Sequence, residues 1–328
     1  MENEKLPLPL PLINATFTEE EKTNKVKIDI NTEIPKKLYK YYSVSDYSIK
    51  GLKNNTLYFS NSNLLNDVMD GNFKLWNMEE FIVEYKKDFN INYNIDEDIT
   101  KNILKKITKP FLECRGVLSL SDTYKNELIW AHYTNETGYC LELDTDKFKE
   151  NIEENRYEND LFFFPISYDD LERINFFKHI SFQIEPKNKE NNSKIYSAIL
   201  PILYCFAQKD KCWNYEKEWR FLLRDKKFNS ISIPTDIISD DEKLVENARK
   251  IGGNIEFKKE VISKVILAPL FFNNSRFNRL EVNSSNFSIY NFKNNNEGKN
   301  TKDLLEILKN NFSDKIYQID KMIKIILL

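Results

Sequence analysis

Taken as a pattern of apolar and polar positions, the chain divides into short strands and helices that interleave. Leu38 with Tyr39, Tyr41 and Tyr42 marks an aromatic strand, and "TLYFS" marks a second. Between them Ser45 and Asp46 suit a helix N-cap, with Tyr47, Ile49 and Leu52 following and Asn54-Asn55 as the stop. The polar loop "NSNLLNDVMDG" opens towards helical "FKLWNMEEFIVEY", and charged residues 88–106 read as an exposed helical elaboration. "GVLSLSD" and "GYCLELD" read as strands and bracket a helix, "ELIWAHYT". A short strand at "FFFPISYDD" precedes a helical stretch from Leu171 to Gln208, broken at polar "EPKNKENNSK". "EWRFLL" and "SKVILAP" are further strands separated by a charged helix near Glu242 to Lys250, and "NFKNNNEGKN" reads as a low-complexity loop. In the tail, Leu305, Leu308, Phe312, Ile316, Ile319, Ile323 and Ile326 fit either a coiled-coil seam or a helix followed by a strand, and the second is favoured.

This interleaving lacks regular βαβ spacing, so it predicts an α+β fold with a mixed, mainly antiparallel sheet rather than a doubly wound parallel one. One domain is expected over 36–328, with helical insertions and a C-terminal helix-strand segment; 328 residues at 41% hydrophobic can bury one large core. Residues 1–35 read as an extended arm, because Leu and Pro alternate from Leu6 to Leu12. That arm and the apolar tail are the two surfaces on which a protein partner would dock.

Charge and composition then narrow the chemistry. Lys+Arg 48 against Asp+Glu 51 leaves a net charge of -3, so no global positive field attracts a nucleic-acid backbone, and non-specific nucleic-acid binding is not expected. Cys114, Cys140, Cys205 and Cys212 form no C-x-x-C pair and only His132 and His179 exist beside them, so a structural zinc site is not expected and free buried thiols are. His179 falls in a helical aromatic patch and reads as structural. Acidic Glu2 and Glu4 precede leucines interrupted by prolines, unlike a secretory signal, and no apolar run approaches the roughly 20 residues of a membrane helix. A cytoplasmic protein without membrane attachment is the expectation. Seven glycines leave no G-x-G-x-x-G, no P-loop and no G-x-S-x-G, which argues against a Rossmann dinucleotide site, a P-loop NTPase and an α/β-hydrolase.

The strongest candidate chemistry lies in "KCWNYEKEWRFLL". A strand alternates its side chains, so Glu216, Glu218 and Arg220 would share one face, with the two carboxylates about 6 to 7 Å apart at the backbone. Both can then line one pocket, one holding a sugar hydroxyl while the other stabilises an oxocarbenium-like transition state, against which a carboxylate is stronger than against the neutral ground state. The alternative is an ion pair in which Arg220 only fixes the strand edge. Trp130, His132 and Tyr133 can stack on and hydrogen-bond a planar heterocycle, or simply pack. Asn66, Asp67 and Asp70 can bind a cation or a ligand hydroxyl, or cap a helix.

The pieces "LYKYYS", "LYFSNSNLLND", "LSLSD", "LIWAHYTNETGYCLELD", "PISYDD", "KDKCWNYEKEWRFLL" and "SKVILAP" together resemble an uncharacterised bacterial family, domain of unknown function 2971, over roughly Leu38 to Pro269. The sequence departs at "NDVMD", where that family more usually has a proline and an aromatic residue between the acidic positions. A more distant resemblance is to ADP-ribosyltransferases, carried by the first strand, the "F-S" strand and the late E-x-E. It implies NAD as substrate, Glu218 as the catalytic glutamate and Glu216 as the one that orients the acceptor. It also places Lys40, beside Tyr41, where that superfamily has an NAD-orienting histidine or arginine; an ammonium lacks the directed imidazole and the planar fork. Trp130 or Tyr133 would then stack on a base and Arg220 would tune the glutamates or contact phosphate. A bacterial NAD consumer of this kind suits a toxin or phage-defence role. Two other functions stay open: a non-catalytic module that binds a nucleotide or a protein, and a metal-dependent nuclease or hydrolase using Asp67, Asp70, Glu216 and Glu218 as oxygen ligands.

Overall fold

The computed structural model describes residues 5–6, 11–20, 23–61, 65–67, 69–88, 90, 116–154, 161–171, 173, 181–184, 193–196, 199–223, 253–273, 275–318 and 320–327. The expected helices at 88–106 and near Glu242 to Lys250, together with Cys114 and His179, lie outside them almost entirely; the helix that begins at Met78 reaches Asp88.

The fold is α+β with mainly antiparallel sheets. Within 1–35, strands β1 (Lys5–Leu6), β2 (Ile13–Glu20) and β3 (Thr23–Ile30) pair as an antiparallel meander, Ile13 opposite Ile30 and Glu20 opposite Thr23. The chain then enters β4 (Lys37–Tyr42), helix α1 (Asp46–Lys53) and β5 (Thr56–Asn61). Helix α1 starts where the hydroxyls say it should. The Ser45 side chain accepts from Ser48 N and the Ser48 side chain accepts from Ser45 N, a reciprocal capping box, while Ile49 and Leu52 turn into the core. After α2 (Met78–Asp88) come β6 (Gly116–Ser121), α3 (Glu127–Thr134), β7 (Tyr139–Asp144), α4 (Thr145–Glu154), β8 (Leu161–Pro165) and β9 (Ser167–Asp169).

The stretch from Leu171 to Gln208, expected to be helical, is helical among the described residues only at its C-terminal end. It holds the hairpin β10 (Ser181–Ile184) and β11 (Ser193–Tyr196) before helix α5 (Ile199–Phe206). Apolar runs of four residues carry no period long enough to separate strand from helix, which is why the pattern misled. Beyond α5 lie β12 (Gln208–Asp210), a 3₁₀ turn at Lys211–Glu216, β13 (Glu218–Leu223), β14 (Gly253–Glu256) and β15 (Ile262–Leu267). β16 (Phe277–Asn283), β17 (Asn286–Phe292), helix α6 (Asn296–Asn311), β18 (Ile316–Gln318), β19 (Lys321–Met322) and β20 (Lys324–Leu327) complete the chain. The tail is thus helix then strand, as favoured. "NFKNNNEGKN" is no loop, however: Asn295 caps α6 by accepting from Gly298 N, so the asparagine run starts a helix.

The central sheet is split. One half orders β14-β5-β6-β13-β8 and the other orders β4-β7-β15-β18-β19. They share strand β6, whose one edge pairs with β5 at Val117 and Gly116 and with β4 only at Ser121, opposite Tyr39. The edge of β6 between these contacts faces a notch. On one side of β13, Trp219, Phe221 and Leu223 enter the main core with Leu118, Leu120 and Phe148, each burial worth roughly 1.5–3 kcal/mol. On its other side, Glu218 and Arg220 face the C-terminal end of α5.

Candidate functional site

A cleft of about 270 Å³ opens at the notch, lined by residues of β4, β6, α3, the loop at 65–70, β12 and the start of β13. Both Glu216 and Glu218 contribute to its wall. They do not share a strand face as expected. Glu216 closes the 3₁₀ turn and Lys217 takes a left-handed conformation (φ 44°), so β13 begins only at Glu218. The turn brings the two carboxylates together by another route, through a common cation.

That cation is Lys209. Its Nζ lies 2.6 Å from Glu216 Oε2, 2.7 Å from Glu218 Oε2 and 3.7 Å from Asp70 Oδ2. Arg220, fully buried, forms the second layer: Nε donates to Glu218 Oε1 at 2.5 Å and Nη2 to Oε2 at 3.2 Å. The far edge of the same guanidinium binds both oxygens of Asp70, and Nη1 also donates to the Phe206 carbonyl at 2.8 Å. One arginine therefore holds two carboxylates with its planar fork and caps a helix C-terminus, a set of contacts that lysine cannot make.

The electrostatics follow from burial and these partners. Burial alone would raise the Glu218 carboxyl, but Arg220 and Lys209 outweigh it and hold Glu218 well below the usual carboxylate range. Glu216 moves the other way, raised by burial and by its neighbour Glu218 against the pull of Lys209. Burial also raises Asp70 despite Arg220. The two glutamates thus sit in one cleft with opposite proton affinities.

The remaining expected residues divide between cleft and packing. Lys40 lines the cleft and its Nζ donates to the Ser119 carbonyl at 3.0 Å, bridging the notch from β4 to β6; burial lowers its proton affinity. Tyr133 donates to Glu216 Oε1, and Asn66, also in the lining, hydrogen-bonds that phenol. Tyr41 lines the cleft while its hydroxyl donates to the Thr123 carbonyl at 2.8 Å and its ring meets Trp130 edge-on. Trp130 is outside the lining: buried, it donates from Nε1 to the Tyr124 carbonyl at 2.7 Å. His132 is exposed, with Nδ1 3.0 Å from the Tyr215 hydroxyl. Asp67 Oδ1 accepts from Met69 N at 2.9 Å, a turn contact, and Oδ2 is buried without a partner.

Lys209 and Tyr168 escaped sequence reasoning. They sit opposite each other in the parallel pair β9–β12, and both reach Glu218, since the Tyr168 hydroxyl accepts from Glu218 N at 2.7 Å. Lys209 lies two residues from Lys211 in a lysine-rich stretch, and nothing local distinguishes the buried ammonium from the exposed one. Of the acidic groups proposed as metal ligands, Asp70, Glu216 and Glu218 face cations instead, and among the described residues no cluster of three or more His, Cys, Asp or Glu is placed to hold a metal ion. Of the described cysteines, Cys140 and Cys205 are buried and free as expected, whereas Cys212 is exposed. Among the described residues no helix is long and apolar enough to cross a membrane.

No curated protein and no solved structure matches the chain. The stretch from α3 to β13 that supplies Tyr133, Lys209, both glutamates and Arg220 does find a counterpart: residues 129–221 match the model of a family described as protein of unknown function DUF2971.

Proposed function

We propose that the cleft binds a ribose-bearing nucleotide of the NAD class and breaks its N-glycosidic bond, in the manner of an ADP-ribosyltransferase or a glycohydrolase. The observation that carries this reading is Glu218, an ionised carboxylate fixed by Arg220 and Lys209 in the wall of a cleft. A charge already oriented costs no reorganisation when a ribosyl cation develops beside it. The bond from nicotinamide nitrogen to the ribose anomeric carbon breaks with its electron pair leaving on nicotinamide. Water or an acceptor nucleophile then captures the cation and loses a proton, which Glu216, with its raised proton affinity, is suited to take. A cavity of about 270 Å³ matches a nicotinamide riboside portion, with the rest of the dinucleotide at the mouth. A bacterial toxin or a phage-defence effector is the setting in which such consumption of NAD has a use.

A second reading, nucleotide binding without turnover, is favoured by one feature. The Glu218 oxygens are already engaged by Arg220 and Lys209, which offsets much of the charge offered to a cation. The full-length chain incubated with NAD decides between the two. Released nicotinamide that falls at least about 100-fold in a natively folded Glu218→Gln variant supports the first reading. Calorimetric binding of NAD with no release supports the second, and turnover unchanged in the variant removes Glu218 from its role.

A further inference from the structure

We infer that Lys209 is the positioning residue of this cleft: one ammonium that sets the spacing of the Glu216 and Glu218 carboxylates and screens each from the other. Its catalytic consequence rests on the glycosidic reading above, while its physical content does not.

The geometry singles it out. Among the described residues Lys209 alone forms an ion pair with both glutamates, at 2.6 and 2.7 Å, whereas Arg220 pairs with Glu218 and Asp70 and makes no contact with Glu216. The Lys209 side chain is only 8% exposed and its position is built in three ways. The parallel pair β9–β12 fixes its backbone, the Trp213 ring lies 5.5 Å from Nζ, and Asp70 Oδ2 lies 3.7 Å from the ammonium. A lysine held this way gives up most of its side-chain freedom, a cost that simple surface packing does not require.

The groups that surround this ammonium define what its loss does. Glu218 and Arg220 face it from β13, Asp70 from the loop, Tyr133 across Glu216 from α3, and Tyr168 and Lys40 from β9 and β4. Tyr133 is neutral, Arg220 is committed elsewhere and Lys40, which also attracts Glu216, has its ammonium on the Ser119 carbonyl, so among the described residues no other cation pairs directly with Glu216. Burial and Glu218 already push the Glu216 carboxyl up and Lys209 opposes them, so removing Lys209 drives it further up. Glu216 then takes up its proton at a higher pH than in the wild type and is a poorer acceptor for another.

Carboxyl carbon NMR titration of the full chain carrying labelled glutamate tests this without any assumption of turnover, with Glu216 assigned through Glu216→Gln. In Lys209→Met the Glu216 midpoint is expected to rise by about 1 to 3 pH units, the range for losing an adjacent opposite charge, and Lys209→Arg to restore most of it. Should Lys209→Met fail to fold, Lys209→Gln, neutral but hydrogen-bonding, takes its place with the same expectation. A midpoint that stays within about half a unit of wild type in a folded neutral variant overturns the inference. If the wild type releases nicotinamide from NAD, turnover at neutral pH falls about tenfold or more in Lys209→Met and recovers as pH rises, with KM little changed. Turnover that falls equally at every pH overturns the positioning role. If the wild type releases none, the glycosidic reading fails by itself, and the titration still decides for or against Lys209.

Discussion

Each half of the split sheet buries a glutamate to the same depth and treats it differently. The side chains of Glu218 on β13 and Glu142 on β7 are both 4% exposed. The cations of Glu218 are sealed as well, Arg220 at 0% and Lys209 at 8% exposed. Glu142 has Lys264 at 3.0 Å, which is 38% exposed, and the Tyr39 hydroxyl at 3.2 Å. A cation that reaches water keeps most of its hydration and contributes little to the pair, whereas charges sealed together depend on one another for all their solvation. Burial of an acid therefore says little by itself; the exposure of its partner decides whether it is an anchor at the rim or part of a closed circuit.

The largest expected effect breaks that circuit. Arg220→Met leaves Asp70 and Glu218 buried without their shared cation and should cost about 3–5 kcal/mol, read as a lowered urea midpoint. A loss under about 1 kcal/mol would mean that water reaches the cluster and the contrast between the halves is false. The other half should be more sensitive to shape. A Cβ on Gly138 would lie 2.0 Å from the Tyr42 carbonyl oxygen and 2.7 Å from Thr134 Cβ. Neither atom can swing aside, so Gly138→Ala should cost about 1–3 kcal/mol or more in the same assay. The smallest effect sharpens the comparison: Glu142→Gln should cost about 1 kcal/mol or less, because Lys264 returns to solvent. A double-mutant cycle with Lys264→Met that gives a coupling above about 2 kcal/mol would refute the distinction.

The elements legible in the sequence were those whose signal is local. "LSLS" and "EWRF" alternate over four residues each, and Ser45 and the helix "ELIWAHYT" carry their own caps, with Asn126 accepting from Leu128 N and Ile129 N. The glutamate pair was legible as a motif but not as a geometry, since one left-handed residue, Lys217, takes Glu216 off the strand. Lys209 and Asp70 were not legible as partners. Asp70 is 150 residues from Arg220 in the chain, and such pairing is a property of the assembled sheet that no local pattern encodes. The pairing of "INATFTEE" with "TNKVKIDI" lay within a segment read as an extended arm from its Leu-Pro run, although both stretches alternate apolar with polar positions.

The joint between the two halves has a mechanical consequence. A single residue pair, Tyr39 with Ser121, carries the backbone ladder from one half to the other, so the seam is a hinge line rather than a weld. What sets the width of the opening is side chains that cross it, the Lys40 tether to Ser119 and the Tyr41 tether to Thr123. Widening the seam would require breaking such tethers and not unzipping either half. Amides of residues 39 and 121 should accordingly exchange with deuterium sooner than those deep within β7 or β13.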